Sequence, residues 1–239
     1  MKREHFFQQA VIFEMGLAIV ALFLGFIFGV RVFVVGDVVR GIGKDLFLQI
    51  IGSVLPLIGC YFLLQKLPFV GLREVDRIVR ELFNDQMSHL TVWQLALISL
   101  AAGFGEELLF RGLLQSGISS AASDFRVWNL SAASNRMLLD ITTITLVSIL
   151  FGAAHAITRM YFWLALLSSV YFGVLLILSE NILVPIAAHA TYDFFVFMYI
   201  KATPSKQQND NQTQQNNDED DDDDNNNNND EDVDNIDRQ

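Results

Sequence analysis

The stretch that decides the fold runs from Val11 to Val35, VIFEMGLAIVALFLGFIFGVRVFVV, where Glu14 and Arg31 are the only charged residues. It exceeds the ~20 apolar residues that cross ~30 Å of hydrocarbon. It is too long for the core of a signal peptide, and no small-residue cleavage pattern follows it. The run therefore predicts a retained membrane span, with Glu14 and Arg31 snorkelling towards the headgroups. Further apolar runs at 46–65, 92–118, 137–158, 161–179 and 182–200 bring the expected number of spans to about six. These runs do not alternate as barrel strands do, so their backbone groups must be paired within helices. The predicted fold class is all-α, a polytopic transmembrane helix bundle, with Pro56 kinking the second span.

The whole composition agrees. The chain has 239 residues, 52% of them hydrophobic, and a formal charge of −11. That charge is unevenly placed: Thr203–Gln239 carries 13 acidic and 2 basic residues, leaving 14 of each sign in residues 1–202. No basic patch is left to neutralise phosphates, which excludes a nucleic-acid binder. One cysteine, Cys60, excludes a disulfide framework and a thiolate zinc site. Three regions follow: 1–91 with two spans and a cytoplasmic amphipathic helix, 92–202 as a helical core, and 203–239 as an acidic tail. The tail, with Asp220–Asp224 followed by Asn225–Asn229, has too little apolar surface to fold and is expected to be disordered. A calcium loop needs a glycine at its turn, and the tail has none.

Between the second and third spans, Leu72, Val75, Ile78, Val79, Leu82 and Phe83 recur at helical spacing among Arg73, Glu74, Asp76, Arg77, Arg80 and Glu81. The pattern predicts an amphipathic helix over Gly71–His89 lying on the membrane surface; a solvated connector helix is the plainer alternative. Lys2, Arg3, Lys66, Arg73, Arg77, Arg80, Arg159 and Lys201 fall on the side of the N-terminus, and Arg40, Lys44, Arg126 and Arg136 on the other. This excess predicts cytoplasmic termini in a multi-pass protein of the plasma (inner) membrane.

Ionisable residues inside hydrocarbon are costly and mark function by default. They form three groups. Glu106 lies 14 residues into the third span, roughly 21 Å from Val92 along the helix axis, and is followed by Glu107 and, four residues on, Arg111. Glu107 and Arg111 share a helical face and can pair, whereas Glu106 points about 100° away and is the freer carboxylate, suited to a general base. His155 follows Phe151-Gly152-Ala153-Ala154, whose small residues would admit a neighbouring helix closely. His189 and Asp193 are four apart on one face of the last span. Taken singly, an ion pair or a carbonyl-bonded histidine is ordinary packing. Together, Glu106, His155, His189 and Asp193 have the composition of a water-activating or metal site. Phe110 and Phe151 are expected in the core or its pocket wall.

Three motifs in this order, Glu106-Glu107-x-x-x-Arg111, Phe151-x-x-x-His155 and His189-x-x-x-Asp193, resemble the CAAX protease and bacteriocin-processing (CPBP, Abi) family of intramembrane proteases. The resemblance spans roughly residues 92–200 and implies an all-helical protease whose cavity lies within the bilayer. By it, Glu106 stands for the water-activating base and His155 for its partner. His189 and Asp193 stand for the group holding the oxyanion, and Glu107 and Arg111 for the supporting pair. Asp193 departs from the asparagine of the eukaryotic branch, and an ionised aspartate cannot donate to an oxyanion. Zn²⁺ is a candidate cofactor, with Glu106, His155, His189 and Asp193 as its candidate ligands. The implied substrate is a peptide or membrane protein. Two other classes stay open: a non-catalytic scaffold or bacteriocin-immunity protein on the same fold, and a proton- or cation-coupled transporter. No His-Glu-x-x-His or Gly-x-Ser-x-Gly element points to another protease class.

Overall fold

A computed structural model describes residues 5–33, 44–123 and 132–203. The 203–239 tail lies outside them except for Thr203, as do Lys2, Arg3, Arg40 and Arg126. The described residues are all-α: α1 (Phe6–Phe28), α2 (Lys44–Lys66), α3 (Val70–Gln86), α4 (Val92–Glu107), a π-helical segment (Leu108–Gln115), α5 (Ser116–Ser123), α6 (Ala132–Ala154), α7 (Arg159–Ser179) and α8 (Leu183–Ala202). Residues 5–198 form one compact unit, and the last turn of α8 falls in a second.

Among the described residues, five helices are long and apolar enough to cross a membrane: α1, α2, α6, α7 and α8. The chain is a multi-pass integral membrane protein, and its outward residues suit lipid, with Phe23, Phe26, Leu55 and Leu178 among many exposed apolar side chains. The third expected span, 92–118, takes another form. It is a 16-residue α-helix running straight into eight π-helical residues and then α5. Wide turns of this kind recur at functional sites, and no hydropathy pattern announces them.

Local chemistry sets the boundaries. Thr91 and Gln94 form a reciprocal capping box, Thr91 Oγ1 accepting from the Gln94 amide and Gln94 Oε1 from that of Thr91. Thr158 caps α7 by accepting from the Tyr161 amide. Glu180, at φ 51°, closes α7 in the left-handed region, and Asn181 Oδ1 accepts from the Leu183 amide to open α8. Pro56 lies within α2, and the helix continues through it. The amphipathic helix is α3, which docks Gly71 against Met160 at the start of α7 and buries Val75 and Phe83.

Close helix approaches build the core. α1 lies parallel to α4 and the π segment: Glu14 meets Gly105, Ala18 and Ala21 pack with Leu108, and Val30 reaches Gly117. At Gly105 a Cβ would run into the backbone carbonyl of Glu14, so only glycine lets the two helices touch there. Glu14 therefore turns inwards instead of snorkelling, and its Oε2 is sealed from solvent. Arg31 stays exposed. α2 joins through Val54 beside Phe172 and Ala188, and through the Tyr171 hydroxyl, which donates to Ser53 O at 2.8 Å.

Candidate functional site

The site forms where α4 and the π segment face α6, α7 and α8. Gly103 permits this: a Cβ there would sit 2.8 Å from both Ala190 N and Ile186 O, so α4 and α8 press together one turn from Glu106, Glu107 and His189. At Gly152 a Cβ would lie 3.0 Å from Phe162 O, so α7 closes on α6 just before His155, as the small residues there predict.

The two adjacent glutamates enter different surroundings. Glu107, fully buried, binds two partners. Its Oε1 accepts from His189 Nδ1 at 2.8 Å, and its Oε2 lies 3.1 Å from Arg111 Nε as an ion pair. Arg111 is as deeply buried and extends the network to α7, donating from Nη2 to Ser169 O at 2.9 Å and Ser169 Oγ at 2.8 Å. Its guanidinium also lies over the rings of Phe151, Phe172 and Phe110, at 5.0, 5.4 and 6.0 Å. Compensation of this kind is what keeps a buried charge pair tolerable.

Glu106 is also buried, but its Oε2 accepts no hydrogen bond among the described residues. It faces His155 Nε2 at 3.6 Å, too long for a direct hydrogen bond. His155 Nδ1 lies 2.9 Å from Phe151 O. A carbonyl only accepts, so Nδ1 carries a proton, and Nε2 is the nitrogen turned towards Glu106. Phe151 stacks on this ring with centroids 4.3 Å apart. Phe110 meets Phe151 edge-on at 4.9 Å, so both phenylalanines are buried walls.

His189 lies between two carboxylates. Nδ1 donates to Glu107, Nε2 lies 3.5 Å from Asp193 Oδ2, and the ring stacks on Phe172 at 4.9 Å. The structure thus brings all six predicted residues into one region, as a Glu106–His155 pair and an Arg111–Glu107–His189–Asp193 chain. Sequence reasoning missed Ser169 and Phe172, which hold the chain from α7. It also missed Tyr161, within electrostatic reach of Asp193 and Glu106. Ser169 left one faint signal, a polar residue inside an apolar run. Phe172 and Tyr161 left none.

The donor set does not fit a bound metal as it stands. Among the described residues no three of His, Cys, Asp or Glu converge as ligands, and both nitrogens of His189 already face carboxylates. The arrangement can instead take up and pass on protons: a carboxylate with an open lone pair faces an imidazole nitrogen, beside a second imidazole held by carboxylates.

Residues 88–195 match the family model described as Type II CAAX prenyl endopeptidase Rce1-like, which covers every residue of the pair and the chain. No curated protein and no solved structure matches.

Proposed function

Residues 88–195 belong to the Rce1-like family of type II CAAX prenyl endopeptidases, and on that premise we propose that this chain is an intramembrane endopeptidase acting through water activated by Glu106. The observation that carries the reading is the contrast within one dipeptide. Glu107 accepts from His189 and lies 3.1 Å from Arg111 as an ion pair, while Glu106 has no cationic partner so close and its buried Oε2, without a hydrogen bond, faces an imidazole nitrogen at 3.6 Å. An unsatisfied buried carboxylate costs folding free energy, so its retention is accounted for by chemistry.

In the proposed reaction water binds beside Glu106 and His155, within reach of both. Glu106 takes one of its protons as the oxygen attacks the scissile carbonyl carbon. The carbonyl π electrons move to oxygen, and His189 Nε2–H stabilises the resulting oxyanion. Because Nδ1 already donates to Glu107, this donor makes His189 an imidazolium, whose charge Glu107 and Asp193 balance. Asp193 then acts through His189 instead of touching the oxyanion, which accounts for an aspartate at this position. The tetrahedral intermediate collapses, the C–N bond breaks, and the proton passes from Glu106 or His155 to the leaving amine. The products are a carboxylic acid and an amine. Arg111 and Glu107 are positioning residues. The substrate is a peptide or membrane protein entering from the bilayer, and the excess of basic residues on the side of the N-terminus supports cytoplasmic termini, with α4, the π segment and α5 together making a sixth crossing beside the five long apolar helices.

Purified protein in proteoliposomes tests this against a panel of isoprenylated CAAX peptides, leader peptides and membrane-protein fragments. Glu106→Ala is expected to lower cleavage by ~10²- to 10⁴-fold, the range of a general base, with the folded state retained. Unchanged cleavage would overturn the assignment. A phenotype that survives Glu106→Ala in the absence of turnover would point to a scaffold, and loss of ion flux instead of cleavage to a transporter.

A further inference from the structure

One carboxylate near the site belongs to none of the three motifs. Glu14 lies on α1, outside the residues matched by the family model. The close approach at Gly105 sets its backbone against the residue preceding Glu106. The outer face of α1 is apolar, with Ile12, Phe13, Ile19 and Phe23 exposed, so Glu14 is the residue that α1 turns inwards. Its Oε2 is sealed from solvent and has no hydrogen-bond partner among the described residues. Glu106, His155, His189 and Asp193 all lie within electrostatic reach of it.

The charge balance is incomplete. Arg111 pairs with Glu107 and lies within electrostatic reach of Glu106, whereas the groups within such reach of Glu14 are the carboxylates of Glu106 and Asp193 and the imidazoles of His155 and His189. The water-activating reading uses Glu106 with His155, and Asp193 with His189. Glu14 Oε2 is left without a donor among the described residues, on the helix that touches Gly105 next to Glu106. A carboxylate shielded from water gains most from a cation that arrives with its own hydrogen bonds.

We propose that Glu14 is a specificity-determining residue that binds a lysine or arginine side chain flanking the scissile bond of the substrate. The inference rests on the endopeptidase reading for its site, but its ligand chemistry can be tested separately. Peptides of one sequence carrying Lys, Gln or Glu at each position flanking the cleaved bond are offered to the full chain in proteoliposomes, and both cleavage and equilibrium binding are measured. The Lys peptide should be favoured over the Gln peptide by roughly 10- to 100-fold in kcat/KM, expressed mainly in KM, as for a charge-assisted contact in a shielded site. Glu14→Gln should bring the Lys-to-Gln ratio close to one. Glu14→Lys should reverse the preference towards the Glu peptide, an outcome that a merely structural role for Glu14 would not produce.

A Lys-to-Gln ratio that persists in Glu14→Gln overturns the proposal, as does a wild-type protein indifferent to charge. So does loss of cleavage in equal proportion for all three peptides, which would place Glu14 in the chemistry. If no peptide is cleaved, the endopeptidase reading fails. The binding arm still decides this inference, since charge-selective binding that Glu14→Gln abolishes supports it and binding without selectivity overturns it. Carrying the positive charge on a free amino terminus instead of a side chain distinguishes the two sources of the cation. Preference for the terminus alone overturns the side-chain assignment.

Discussion

Glu106 and Glu107 are neighbours on one helix and both are buried, yet they meet different partners. Around Glu107, charge, hydrogen bonds and aromatic faces come from α4, the π segment, α7 and α8, and nothing is exposed. Around Glu106 there is one imidazole at 3.6 Å and an oxygen without a donor. The difference teaches how a bundle divides the work of two identical side chains. The one held by Arg111 and His189 fixes helix positions, and the one beside a single imidazole is left for substrate and water.

The contrast breaks most directly by removing each carboxylate in turn. Glu107→Ala strands a fully buried Arg111 and is expected to destabilise the protein by about 3–5 kcal/mol. Glu106→Gln removes no hydrogen bond and should shift stability by about 1 kcal/mol or less. Denaturant unfolding in detergent micelles compares the two, and equal losses would show that the regions do not differ as described. A smaller effect sharpens the role of close packing. Gly103→Val should cost about 1–3 kcal/mol by overpacking α4 against Ala190 and Ile186. Cleavage should fall by more than that loss implies, because a misplacement of ~1 Å can cost ~10²-fold in rate; unfolding and initial-rate measurements on one preparation would check this. Smaller than the glycine substitution is Phe172→Leu, which removes the ring beneath His189 and beside Arg111 and should cost about 0.5–1.5 kcal/mol. A thermal shift matching that of a leucine substitution at the lipid-facing Phe23 would show that the stacking contributes nothing.

Much of the site was legible because burying charge in hydrocarbon is expensive. Glu106, Glu107, Arg111, His155, His189 and Asp193 stand out against apolar runs, and the three motifs lie within the residues that the family model matches. The same reasoning misplaced Glu14. Its position near the start of an apolar run suggested an anchor at the headgroups, but the glycine that draws it inwards lies 91 positions away, at Gly105. The interruption of the 92–118 run was equally hidden. The residues that become π-helical, Leu108–Gln115, are apolar apart from Arg111, Gly112 and Gln115, and no local pattern marks the change; α1, α6 and α7 pack around them.

The sequence by itself determined the membrane-spanning, all-helical character, the neutral body with its acidic tail, and the identities of the charged groups. These follow from the period and length of apolar runs, which are local properties of the chain. Only the tertiary structure decided that His189 binds Glu107, that Ser169 and Phe172 hold Arg111, and that α1 delivers Glu14 to the same region. Such pairings depend on which helices approach closely, and that is set by glycines and side-chain shapes on partners far apart in the chain.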